Sequence, residues 1–165
     1  MSELAAGQAP AGPILALVGV GGNLGDARTT VESALQALSG AVVATRLLKA
    51  SSLYRTAPQQ SSGPDYVNAV ALVETLLSPL ALLQALQSLE QAAGRERPYR
   101  NAPRTLDLDL LAYGDLRLDT PTLILPHPRM HQRAFVLQPL AEICPERVSS
   151  AELAAVADQA VERFG

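Results

Sequence analysis

The sequence predicts an α+β domain of the ferredoxin-like, split βαβ kind, an antiparallel sheet with helices covering one face. Three features carry this expectation. Apolar or alternating runs of strand length alternate with segments whose apolar residues recur at helical spacing. Their order is strand, helix, strand, strand, helix, strand. The strongest helical segment carries its own start and stop signals. A length of 165 residues suits one domain with a substantial core.

In order along the chain, Met1 to Pro13 is rich in Gly, Ala and Pro and reads as a loose tail, leaving 14–165 as the folded unit. Ile14 to Val20 (ILALVGV) is a short apolar run bounded by glycines, the mark of a buried strand. The glycine-rich stretch Gly19 to Asp26 (GVGGNLGD) reads as a tight turn that caps the next helix. From Thr29, Val31, Ala34, Leu35 and Leu38 share one helical face, and Gly40 supplies a stop. Val42 to Ser52 and Tyr66 to Thr75 read as strands, separated by a turn-rich loop from Ala57 to Asp65. Ser78 is a helix N-cap, Pro79 the first helical residue, Leu82, Leu86, Leu89 and Ala93 form one face, and Gly94 is the end. Thr105 to Tyr113 (TLDLDLLAY) alternates as a strand does and meets a turn at Gly114-Asp115. After a proline-punctuated stretch, Ser149 and Glu152 fit a capping box. It would open a final helix burying Leu153, Val156, Ala157, Ala160, Val161 and Phe164.

The composition excludes several classes. Hydrophobic residues make up 48% and charged residues 18%, a globular balance, and no apolar run approaches the length of a membrane span. The amino-terminal stretch lacks the basic start and apolar block of a signal peptide, so a cytoplasmic protein is expected. A net charge of −3 speaks against a general nucleic-acid binder. The lone Cys144, between Ile143 and Pro145, reads as a small buried hydrophobe. The glycine stretch is no dinucleotide fingerprint, since Leu24 holds the third glycine position, and no GxxxxGK[ST] phosphate loop is present.

The chemistry concentrates in a few places. Asp107 and Asp109 leave one face of their strand while Leu106, Leu108 and Leu110 enter the other. Two neighbouring carboxylates call for a compensating cation, and such hard oxygen ligands suit Mg²⁺, which adds water and substrate phosphate to its shell. The alternative is a plain solvent-facing strand side. Arg95, Arg97, Arg100 and Arg104 against Glu96 give 4 − 1 = +3 in the eleven residues 94–104, a segment that attracts anions. All 13 basic residues except Lys49 are arginine, the better phosphate ligand, although genomic base composition produces the same bias. His127, between two prolines and near Arg129 and Arg133, is either aimed at a phosphate or exposed in a loop.

These residues bring a family into view. YRT (Tyr54 to Thr56), PDYVNA (Pro64 to Ala69), GRER (Gly94 to Arg97), PRTLDLDLL (Pro103 to Leu111) and LPHPRM (from Leu125) follow one another in order. Together they resemble the 6-hydroxymethyl-7,8-dihydropterin pyrophosphokinases of folate synthesis. That resemblance implies transfer of the β,γ-diphosphate of ATP to the hydroxymethyl oxygen of a reduced pterin, with two magnesium ions. It implies that Asp107 and Asp109 ligate the metals and act in catalysis with Arg95 and Arg104. Arg95, Arg104 and Arg133 would contact the triphosphate, with Arg97 and His127 beside them and Glu90 and Leu110 also in the ATP site. Tyr66 and Phe135 would stack the pterin, with Asn68, Thr56, Ala57 and Gln59 at its edge.

The resemblance further implies small-molecule substrates alone, no nucleic acid or membrane partner, and a monomer. Gly22 stands where many relatives carry Ser, and Asn101 where many carry Trp. Thr122 and Ile124 differ from the Arg and Thr of some, and Pro128 and Arg129 from commoner neighbours of the histidine. The loops Ala57 to Asp65 and Arg95 to Pro103 would close over bound ATP. Two rivals belong to other classes, a ferredoxin-like RNA-binding module and a non-catalytic relative that keeps the fold as an interaction partner.

Overall fold

In the computed structural model, residues 6–23, 26–57, 65–93 and 106–164 are described. The chain forms β1 (Ile14–Gly22), α1 (Ala27–Gly40), β2 (Thr45–Ala50), β3 (Leu53–Thr56), β4 (Tyr66–Thr75), α2 (Pro79–Ala93) and β5 (Asp107–Tyr113). Then follow β6 (Leu118–Asp119), β7 (Ile124–Leu125), α3 (Ala134–Ile143), α4 (Ser150–Ala155) and β8 (Glu162–Phe164). The main sheet runs β5-β1-β4-β3-β8, with β2 also on β4, and every pairing is antiparallel. This is the expected split βαβ arrangement.

Strand β1 sorts its side chains by the two-residue period of extended chain. Ala16, Val18 and Val20 enter a core with Val31, Leu35 and Leu38 of α1 and Leu82 and Leu86 of α2. Leu17 points the opposite way, into a second core with Val70, Leu72, Leu111 and the α3 residues Val136 and Leu140. Helices α1 and α2 therefore cover one face as expected, whereas α3 covers part of the other. A register shift opposite Leu17/Val18 makes Leu111 an extra residue, so that Leu111 and Ala112 both face the second core between Leu110 and Tyr113 of the first.

Several boundaries follow their local signals. The Ser78 hydroxyl accepts from the Ala81 N–H at 3.1 Å, capping α2. Leu80 N–H donates to the Ala6 carbonyl at 2.8 Å, so part of the segment expected to be loose also covers this terminus. Asp26 caps α1 by accepting from Thr29 N–H at 3.1 Å. Gly114 adopts φ 52° in the turn after β5, a conformation that favours glycine.

Four expectations are corrected. Gly19, Gly21 and Gly22 lie within β1 rather than in a capping turn. Val42 to Ser52 is not one strand: it begins at Thr45 and is interrupted at Ser51 and Ser52, and β3 follows. There Ser51 preserves the connection to β4, its N–H donating to Val70 O and its hydroxyl accepting from Val70 N–H, both at 2.9 Å. The proline-punctuated stretch contains α3, with Pro139 inside it. The capping box at Ser149 forms, but its helix ends at Ala155 and Phe164 belongs to strand β8. A helix continued through Phe164 would forgo the pairing of 162–164 with β3 and the stacking of Arg55 over the Phe164 ring at 4.5 Å.

Helix α3 is fastened to the sheet through Glu142. Its carboxylate accepts from Ser52 N–H and Ser52 Oγ at 3.0 Å and from Tyr54 Oη at 2.7 Å, and lies 3.7 Å from Arg163. Burial pushes this carboxyl up, but the Tyr54 and Ser52 hydrogen bonds and Arg163 outweigh it and hold it below its ordinary value. Burial, together with the Glu142 bond, pushes the Tyr54 hydroxyl up to about 12. A carboxyl depressed in the folded state stabilises fully above its unfolded pKa of 4.5, and the contribution fades as pH falls through the folded value. Glu142→Gln should therefore cost roughly 1–2 kcal/mol near neutral pH. Thermal melts from pH 7 downward should show the two proteins converging below pH 4.5.

Candidate active site

The glycines of β1 determine what lies on the α3 face of the sheet. Gly19 pairs with Asp109 and Gly21 with Asp107 across the β1–β5 ladder. On the other side Gly21 pairs with Asn68 of β4. No side chain from β1 therefore stands beside either carboxylate on that face. The aspartates are both half-buried and stand two residues apart, roughly 7 Å along the strand.

Above this floor is a cavity of about 770 Å³, bounded by Asp107, Asp109, Tyr66, Asn68, Arg133 and Phe135. Thr56 and Ala57 line it from the end of β3, and Gln132 and 158–161 close another side. Asn68 is buried, and its amide donates to Thr56 Oγ1 at 3.2 Å. A Cβ on Gly21 would sit 2.9 Å from Asn68 Oδ1, too close for either group to stay in place. The Arg133 guanidinium lies 5.3 Å from the centre of the Phe135 ring, joining a cationic wall to an aromatic one.

A second cavity, about 260 Å³, lies beyond the edge of β5. Leu83 of α2, Leu110, Thr122, Ile124 and His127 line it, and Asp109 borders both cavities. Leu110 is buried in the first core. Glu90, from α2, accepts from the Leu108 N–H at 2.7 Å and so holds the backbone between the two aspartates.

His127 is held rather than loose. Its N–H donates to the Leu111 carbonyl at 2.8 Å, and its Nδ1 accepts from the Arg129 N–H at 3.1 Å. The neutral ring then carries its proton on Nε2, which is a donor. Burial, then Arg133 and Arg129, lower its pKa below the ordinary 6.5, and Asp107 opposes them. The imidazole is thus neutral at pH 7, and it would meet a phosphate as a hydrogen-bond donor.

The structure brings Thr56, Ala57, Tyr66, Asn68, Asp107, Asp109, Arg133 and Phe135 together around the larger cavity, with Leu110 and His127 at the smaller. Arg95, Arg97, Arg100, Arg104, Gln59 and most of both expected closing loops lie outside the described residues. Sequence reasoning missed Gly19 and Gly21 as the floor and the wall at 158–161; Glu90, expected in the ATP site, instead holds the β5 backbone at Leu108 and lines neither cavity. Strand alternation could have found the glycines. No local signal marks the returning wall.

Comparison with known proteins gives the family. Residues 17–145 match the family model for 7,8-dihydro-6-hydroxymethylpterin-pyrophosphokinase (HPPK). The chain belongs to the HPPK family. It is 45% identical to a Pseudomonas aeruginosa 2-amino-4-hydroxy-6-hydroxymethyldihydropteridine pyrophosphokinase over 130 residues, 78% of this chain and 80% of that protein. A Synechocystis protein of the same name is 44% identical over 133 residues, 81% of this chain and 68% of that one. One from Bacillus subtilis is 39% identical over 146 residues, covering 88% and 86%.

Among solved structures, a Plasmodium falciparum HPPK-DHPS with SDX-DHP superposes at TM-score 0.67 and 13% identity, over 88% of this chain. The chain spans 44% of that protein's length, and the likeness shows the HPPK fold. No helix among the described residues is long and apolar enough to cross a membrane.

Two expected outcomes follow from the geometry. An NMR titration should show His127 protonating below pH 6.5; Arg133→Met should raise its pKa by removing a repelling cation, and Asp107→Asn should lower it further. Gly21→Ala should displace the Asn68 amide, read as a shift of its side-chain NMR signals, while the melting temperature falls by only a few degrees.

Proposed function

We propose that this HPPK-family chain transfers the terminal diphosphate of ATP to the hydroxymethyl oxygen of 6-hydroxymethyl-7,8-dihydropterin, releasing AMP. The pairing of two glycines against Asp107 and Asp109, between two cavities, is the observation that carries the reading. The larger cavity takes the flat pterin, stacked by Tyr66 and Phe135, with Asn68, Thr56 and Ala57 along its edge; Gln59 keeps the pterin role that the family resemblance implies. The smaller takes part of the nucleotide, beside Leu110 and His127, with Glu90 supporting the strand between them.

The carboxylate pair is a set of hard oxygen donors lining the larger cavity, which fits Mg²⁺. Bound there, Mg²⁺ would supply charge neutralisation to the triphosphate, and two ions are the number we propose. The side chains do the remaining work. Arg133 sets a fixed positive charge at the junction of the aromatic wall and the aspartates, where the acceptor oxygen and the β-phosphorus must meet. His127 donates through Nε2–H without adding charge. Arg95, Arg97 and Arg104 complete the triphosphate contacts. A transfer of this kind is mainly positioning and charge stabilisation, so no covalent enzyme intermediate is required.

The direct test supplies ATP, Mg²⁺ and the reduced hydroxymethylpterin and follows AMP. Stoichiometric AMP and pterin diphosphate are expected, and absence of both would reject the proposal. Asp107→Ala and Asp109→Ala should each lower turnover by at least roughly a hundredfold with unchanged circular dichroism. Full activity in both variants would remove the metal assignment.

A further inference from the structure

We infer that Gln159 is a positioning residue for the substrate-binding Arg133 and Phe135. Helix α3 begins at Ala134, and its N-cap residue is Arg133, in an extended conformation with φ −123° and ψ 114°. A helix start needs acceptors for its first N–H groups, and the N-cap side chain commonly supplies one. Arginine has no acceptor, and Arg133 makes no side-chain cap bond. The acceptor instead comes from a distant part of the chain. Gln159 Oε1 accepts from the Ala134 N–H at 2.9 Å, and Gln159 Nε2 donates to the Gln132 carbonyl at 2.9 Å.

One side-chain amide thus binds the peptide groups immediately before and after Arg133. That geometry fixes the direction in which residue 133 leaves the backbone and the first turn on which Phe135 stands. It also frees the N-cap position for a cation that a capping Ser or Asp would displace. Gln159 lies beyond the residues matched by the family model, which end at 145, and in the segment that walls the larger cavity. This role rests on the pterin and phosphate contacts proposed above.

Gln159→Met preserves length and removes both bonds. Stacking on Phe135 is used equally in ground and transition states and acts on KM, whereas Arg133 acts on the transition state, so the pterin KM should rise about tenfold and kcat should fall as well. Ser149→Ala is the control, because it loosens the same segment by removing the α4 cap without touching the clamp. It should leave the pterin KM unchanged. An unaltered KM in Gln159→Met, or an equal rise in Ser149→Ala, would overturn the inference. Should Gln159→Met fail to fold, Gln159→Glu keeps the acceptor but sets a carboxylate oxygen against the Gln132 carbonyl. It should also raise the pterin KM, and no rise would again overturn the role. Absence of turnover in the unaltered protein would instead reject the proposed function itself.

Discussion

The alternation of β1 is the constraint on which the rest depends. Ala16, Val18 and Val20 fill one core, and the same period directs Leu17, Gly19 and Gly21 to the opposite face. A strand with larger residues at 19 and 21 would bury more apolar area, on the order of 2 kcal/mol per residue. It would also stand against Asp109 and Asp107 across the ladder. Glycine inside a strand weakens the strand, by about 0.5–1 kcal/mol relative to alanine. That loss is accepted where open space beside two carboxylates is worth more than packing.

The second departure from maximal stability is at α3. A positive side chain at a helix N-terminus opposes the macrodipole, at a cost of about 0.3–1 kcal/mol. Arg133 holds that position, and the first turn of α3 has no acidic residue to compensate it. Pro139 removes one internal hydrogen bond as well. The helix is secured by tertiary contacts instead. Val136 and Leu140 are buried against the sheet, Glu142 gathers bonds from Ser52 and Tyr54, and Lys49 Nζ donates to the Ile143 carbonyl at 3.3 Å. Packing compensates for poor local helix chemistry.

This division explains what was legible in the sequence. Helix α2 has good local chemistry, and Ser78, Pro79 and the leucine spacing mark it to the residue. The Leu-Asp alternation placed Asp107 and Asp109 on one face, and that placement is independent of tertiary structure. Helix α3 escaped because proline reads as a breaker, whereas the contacts that tolerate it come from β2, β3 and β4. The glycines of β1 were read as a turn because glycine carries the same local meaning in a turn and in a strand that leaves space. The final helix was extended too far for a related reason. Val161 and Phe164 fit a helical face, but an edge strand and an open cavity wall were available to them.

The position of β5 at the edge of the sheet gives the aspartates their reach. An interior strand has neighbours on both sides, so its side chains address only the space above or below the sheet. Beside β5, beyond Asp109, the chain places His127 and the short β6–β7 hairpin rather than another strand of the main sheet. Asp109 can therefore border one cavity over the sheet and another around its rim. A bare edge strand needs partners for its outward N–H groups. Glu90 supplies one at Leu108, between the two carboxylates, and so fixes their separation without covering either. Two substrates that meet at one phosphorus atom must approach from different directions, and an acidic pair on an edge strand is reachable from both.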